Sequence, residues 1–344
     1  MRTLIFCLFV LACGPAEERP LPPVVAGAPE VGASEGTIDL PVGTPMGGYS
    51  GRAVYLGSDG KPDNRDSAYS TGFVESAGMQ TRPTVKVIWL DNGDSHLVLI
   101  KVDLIYSFDN LVVAVTEQLE TYTGEDLRGK VMITANHSHN AYGPFSDQFH
   151  FYLGGDRYNE EIFQRLTQQI TDVAVESYTQ KVPASIGTAW AKHWDPQDEV
   201  YRDRRGDNDD LIIWEDTPEA NGKDPWLHLM RFDTVDGDPI AMTFTYGIHG
   251  TAMGAGSPML SSDAPGHVEL VLQESFPKDT VVMHLQGGAG DASPAGTDRE
   301  YAKMETLGEY AKTTILDLYD QTPTQTTPIT IETTSRHILS LIHI

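Results

Sequence analysis

The sequence predicts an α/β fold, with α+β as the alternative, in which a central β-sheet system is flanked by helices. Two observations predict it. β-prone runs and stretches of helical period interleave along the chain, the pattern of sheet layers covered by helices. The residues capable of chemistry stand just after strands, where open α/β sheets gather their ligands.

The elements follow in order. Thr84–Leu90 and His96–Leu104 are β-rich runs separated by Asp91-Asn92-Gly93-Asp94, a turn composition that joins antiparallel strands. Asn110 reads as the N-cap of a helix running to Thr121, with Leu111, Val112, Val115 and Leu119 on one face. Lys130–Ala135 is a short apolar strand. Asn159–Tyr178 has helical period, Ile162, Phe163, Leu166, Ile170 and Val173 recurring on one side. Ala184–Trp190, Leu227–Phe232, Ile240–Ile248 and Thr280–Leu285 read as strands, and Gly266–Glu274 and Arg299–Tyr319 as helices.

Ahead of these elements the chain reads as an address and a tether. Arg2 precedes the apolar run Leu4–Ala12, too short to span a bilayer, which takes about 20 residues. Val10-Leu11-Ala12-Cys13-Gly14 resembles a bacterial lipobox, so residues 1–12 are expected to be a lipoprotein signal peptide and Cys13 a lipid-anchored N-terminus. Cys7 would leave with the signal, and the remaining cysteine would be acylated, excluding an intrachain disulfide. The expected location is the bacterial cell envelope, with the outer membrane favoured by Gly14, or outside the cell. Residues 13–36, rich in Pro, Gly, Ala and Glu, read as a disordered tether. The globular pattern starts at Thr37.

Length and composition bound the function. At 344 residues the chain can bury a substantial core. With 24 Lys and Arg against 49 Asp and Glu, a net charge of -25, it lacks the basic surface that phosphate binding needs, which argues against nucleic acid and against electrostatic docking on anionic lipid.

Chemistry concentrates at three strand ends. His137 and His139 are spaced so that an extended backbone points both the same way, as for two zinc ligands or for one ligand and a working neighbour. Taken alone, the pair fits two solvated loop histidines better than a metal site. His249 ends an apolar strand and enters a small-residue loop, Gly250-Thr251-Ala252-Met253-Gly254-Ala255-Gly256, where backbone amides can approach a ligand, although a hydrogen-bonded core histidine fits too. Ser293 follows Gly287-Gly288-Ala289-Gly290 and is either a nucleophile on a sharp turn or a turn residue.

Together these segments resemble the neutral and alkaline ceramidases. Asn136-His137-Ser138-His139 with Gly143-Pro144 is similar to that family's Thr-His-Thr-His segment. Tyr246–Met253 with Ser262-Asp263 is similar to its His-Gly-Thr-Ser-Met and Ser-Gly-Asp, and Gln286 with Gly290–Pro294 to its Gln-Ser-Asn-x-Gly-Asp-Val-Ser-Pro. Pro45-Met46-Gly47-Gly48-Tyr49 matches near the start, in the same order. Ala295 and Asn140-Ala141-Tyr142 depart from the pattern. The resemblance implies a catalytic domain over 37–338, incomplete at its C-terminal end, that hydrolyses the amide bond of ceramide or a related N-acyl lipid. It implies a Zn²⁺ held by His137 and His249, with further ligands expected beyond the end of this chain. His139 would stand beside the metal and stabilise the developing oxyanion. Ser293 matches the serine proposed as nucleophile, in competition with zinc-bound hydroxide. One of Arg202, Arg204 and Arg205 would contact substrate. Two other readings are an amidase or esterase on another acyl substrate and a non-catalytic surface lipoprotein, the latter requiring His137 and His249 to lie apart. Leu339–Ile344 is what CTGTCTCTTATACACATC would encode, so residues 339–344 are expected to be a sequencing-adapter artefact.

Overall fold

Two face-to-face halves of one curved sheet form the centre of the protein. The computed structural model describes residues 25–53, 67–148, 151–204 and 223–335. The strands are β1 (Glu30–Thr37), β2 (Gly78–Met79), β3 (Thr84–Asp91), β4 (His96–Val102), β5 (Val131–Ala135), β6 (Val182–Lys192), β7 (Tyr201–Asp203), β8 (Trp226–Thr234), β9 (Pro239–Tyr246), β10 (Met259–Leu260), β11 (Val281–Gln286) and β12 (Ala292–Pro294). The helices are α1 (Asp109–Thr123), α2 (Tyr152–Gly155), α3 (Glu160–Thr179), α4 (Asp263–Gln273) and α5 (Glu300–Asp320). The main sheet has eight strands in the order β11-β9-β8-β6-β1-β3-β4-β5, and β2/β10 and β7/β12 form two small ribbons.

The sheet folds over where its ladder is weakest. β1 pairs with β3 along all eight of its residues but with β6 only at Glu30 and Val31. The period-2 alternation of the strands then feeds separate layers. Val85, Val87 and Trp89 of β3 face outward into a core with α1 and α3, whereas Ile88 and Leu90 face inward. In the other half, Val282 of β11 joins the core under α4 and α5, and Val281 and Met283 join Ile88, Leu90 and Leu99 in the inner layer. The result is helices, sheet, sheet, helices. β4/β5 and β9/β11 are parallel pairs, each joined through a helix on the outer face, so the C-terminal ends of β5, β9 and β11 carry the loops of interest.

Three expectations change. The disordered tether does not extend to residue 36, because Glu30–Thr37 is a strand. Its small residues, which read as linker composition, are what close packing on α3 requires. A Cβ on Gly32 would lie 1.9 Å from the Ser177 carbonyl oxygen, and Ser34 donates to the Val173 carbonyl at 2.6 Å. Asn110 is not the N-cap of α1. The helix begins at Asp109 after Phe108, whose ring is held among Phe145 and Phe151, and Asn110 donates to the Phe145 carbonyl at 3.0 Å. α4 begins at Asp263 rather than Gly266. The expected signal peptide, Cys13, tether residues 13–24, Arg205 and the segment 339–344 lie outside the described residues. Among the described residues no helix is long and apolar enough to cross a membrane.

Candidate active site

Three loops leave the strand ends of the two sheet halves and lock together. His139 N–H donates to the Gly250 carbonyl at 2.8 Å, and Ser138 bridges Gly250 in parallel. A Cβ on Gly250 would meet the His137 carbonyl oxygen at 2.5 Å, so the approach requires glycine. His249 N–H donates to the Ala292 carbonyl at 2.7 Å, which fixes the third loop. The Gln286 amide donates to the carbonyls of Ile248 at 2.6 Å and Asn136 at 3.3 Å, joining all three strand ends.

His137 takes a left-handed backbone, φ 60°, unusual for a residue with a side chain and common where a site holds strain. The buried Asn136 side chain secures it. Its amide donates to Asp103 at 2.6 Å and to the Ser262 carbonyl at 2.8 Å, while its oxygen accepts Ser138 N–H at 3.2 Å.

The three imidazoles converge. His139 Nε2 lies 3.3 Å from His137 Nε2 and 3.0 Å from His249 Nε2, and the His137 and His249 ring centroids are 4.6 Å apart. Two nitrogens about 2.0–2.1 Å from one tetrahedral zinc stand roughly 3.3–3.4 Å apart, so the set has the size of a metal site. Among the described residues it is also the one group of three such side chains so arranged. His137 Nδ1 meets the Ile105 carbonyl at 2.8 Å and His249 Nδ1 the Ala289 carbonyl at 2.9 Å. With the proton on Nδ1, each Nε2 lone pair is left for a ligand. Burial lowers the pKa of His137, and the charges of His249 and Arg204 add to it. Burial together with His137, His249 and Arg52 pulls His139 down to about 3. Neutral imidazoles are the form that binds metal.

His137 opens on a cavity of about 380 Å³ lined by Ile105, Tyr106, Phe108, Ala135, Gln286 and Ala289. Tyr106 stacks obliquely between His137, 5.5 Å away, and Phe151, 5.1 Å away. Ser293 lies half-buried on β12, opposite Arg202 of β7 and adjacent to the Ala292 that holds His249. Among the described residues no histidine hydrogen-bonds its hydroxyl. Arg204, whose N–H donates to the Asp291 carbonyl at 2.8 Å, lies close enough to influence His137, whereas the charge of Arg202 acts on Lys303.

The structure therefore gathers His137, His139 and His249, with Ser293 on β12, the strand whose Ala292 braces His249. Asn136, Gln286 and Asp263 stood inside the motifs without being singled out. Arg52 carried no signal beyond following Pro45–Tyr49.

Residues 67–329 match the family described as neutral/alkaline non-lysosomal ceramidase, N-terminal. The chain is 18% identical over 242 residues to neutral ceramidase B of Dictyostelium discoideum, covering 66% of this chain and 32% of that protein. It is 22% identical over 233 residues to the neutral ceramidase of Pseudomonas aeruginosa, covering 66% and 34%. The crystal structure of neutral ceramidase from Pseudomonas aeruginosa superposes with a TM-score of 0.70 at 17% identity, covering 86% of this chain and 45% of that one. The chain thus spans about a third of the length of these curated relatives. The likeness in structure concerns the fold.

Proposed function

Since the chain belongs to the neutral/alkaline non-lysosomal ceramidase family, we propose that it is a zinc-dependent amide hydrolase cleaving the N-acyl bond of ceramide or a related N-acyl lipid. The observation that carries this reading is the convergence of three Nε2 atoms at a cavity with an aromatic wall. The non-catalytic alternative needs His137 and His249 apart, and their rings are in contact.

His137 and His249 would hold the zinc, and His139 Nε2, between them, has the same claim on the ion. When bound, zinc supplies a Lewis acid for the amide carbonyl. The carbonyls of Ile105 and Ala289 keep the ring protons on Nδ1, so the lone pairs stay aimed at one point. Tyr106 and Phe108 offer apolar surface to a hydrocarbon chain and exclude water from it. Arg204 adds positive charge near His137, where a carbonyl oxygen becomes negative. Ser293, which follows the Ala292 whose carbonyl accepts His249 N–H, would be the nucleophile on this reading.

Metal analysis combined with hydrolysis assays on N-acylsphingosine, simple acyl amides and acyl esters tests the proposal. One zinc per chain with release of sphingoid base and fatty acid supports it. Turnover confined to other amides or esters moves the protein to the broader amidase class, and neither metal nor turnover returns it to a binding lipoprotein. We further propose export and anchoring through Cys13. Replacing Cys13 by Ala should then release the protein from the membrane fraction and abolish incorporation of labelled fatty acid.

A further inference from the structure

We propose that Arg52 is a positioning residue of the histidine centre, clamping the His139 loop to the loop that follows His249. This rests on the reading of the three histidines as the working site. Arg52 ends the short 3-10 turn Ser50–Arg52 and is only 4% exposed. Its guanidinium donates to five backbone carbonyls in three chain segments. Nη1 reaches Gly47 at 3.0 Å and the His139 carbonyl, Nη2 reaches Gly254 at 3.4 Å and Ser257 at 3.3 Å, and Nε reaches Ala255 at 3.3 Å.

The Asn140 amide also crosses between the two loops, to the carbonyls of Ser257 at 3.3 Å and Met259 at 3.0 Å, but Arg52 takes in Gly47 as well and so ties three segments at one group. The rigid fork of a guanidinium presents five N–H groups in a plane, and the carbonyls answer that geometry; an ammonium has three donors from one point. A second route leads to the same histidine. The guanidinium lies 4.8 Å from the centre of the Tyr49 ring, which packs edge-on to His139 at 4.7 Å.

Burying a cation is unfavourable unless its donors are met. Among the described residues no carboxylate oxygen lies in ion-pair range of Arg52, and carbonyls satisfy it instead. The opposite charge is close by in Asp263, fully buried, which accepts the N–H groups of Ala252 at 2.8 Å and Met253 at 3.1 Å. The anion thus fixes the start of the loop after His249 and the cation its later part. Burial lowers Arg52 to about 10, with Tyr49 and Asp263 opposing the shift, and the group stays charged at neutral pH.

The test compares Arg52→Met and Arg52→Lys in the full chain by amide hydrogen exchange without metal, and by zinc affinity in competition with a chelator. Loss of the clamp should speed exchange ~10-fold or more across 137–141 and 250–257 while β3 and β4 keep their protection. Zinc affinity should fall ~10-fold or more, as for other groups that orient metal ligands. Arg52→Lys, which keeps the charge, should show the same pattern and carries the test if Arg52→Met does not fold. Unchanged exchange in both loops, or acceleration spread over the whole chain, overturns the clamp. A wild-type chain that takes up no zinc defeats the metal reading instead, and the exchange data still decide the role of Arg52.

Discussion

At the residue scale, the centre depends on second partners more than on the histidines alone. Ile105 and Ala289 set the tautomers, and Asn136 holds the strained His137 backbone against Asp103. On the proposed reading, replacing His249 by Ala removes a metal ligand. It should abolish zinc uptake and lower kcat/KM by ~100-fold or more, with thermal melting of the metal-free protein within about 3 °C of wild type. The two described arginines of the 202–205 segment should separate. Arg204→Ala is expected to lower kcat/KM by ~10-fold or more and Arg202→Ala by less than ~3-fold, because the charge of Arg204 reaches His137 whereas that of Arg202 is felt at Lys303. Steady-state kinetics on a short-chain N-acylsphingosine decide it, and equal effects would remove the assignment.

At the element scale, β1 is the hinge of the architecture. It is the central link between the halves, paired along its length with β3 and at two residues with β6, and its Val31 is buried in the inner layer. Removing residues 1–36 should therefore leave an aggregated or molten chain, whereas removing 1–24 should leave a cooperatively melting one. Circular dichroism and calorimetry distinguish the two. A cooperative transition in the shorter chain would show that the halves do not need their connecting strand.

At the scale of the whole molecule, the interior between and behind the sheets holds charge. Lys86 and Lys101 meet Glu269 at 3.0 and 2.8 Å, and Lys101 also meets Asp103, all of them buried. Asp103 in turn carries Asn136, so the packed interior and the histidine loop share one network. His284, fully buried on β11, takes no charge readily. Burial lowers it to about 3, with Lys101 adding to the effect, although its contact with the Tyr246 carbonyl opposes it. The unfolded chain protonates this residue near pH 6.5 and the folded one only near 3, so stability falls as pH drops through that window. One such group contributes a slope of up to about 1.4 kcal/mol per pH unit. Urea titrations between pH 7 and 4 should show a shallower decline for His284→Gln than for wild type; parallel slopes would contradict the assignment.

The sequence by itself determined the elements with strong local signals: the β-rich run Thr84–Leu90, a strand that extends to Asp91 and is buried on both faces, and the helix after Asn159, whose buried side chains recur at helical spacing. It also marked three strand ends through the motifs holding His137, His249 and Ser293, and the loops that carry them meet in the structure. Only the tertiary structure decided the rest. The pairing of Glu30–Thr37 was hidden because its small residues answer to α3, far along the chain. The place of His139 between the other two imidazoles depends on a contact between two sheet halves. Arg52 could not be read at all: its partners are backbone carbonyls up to 205 positions away, and a backbone carbonyl leaves no mark in a sequence.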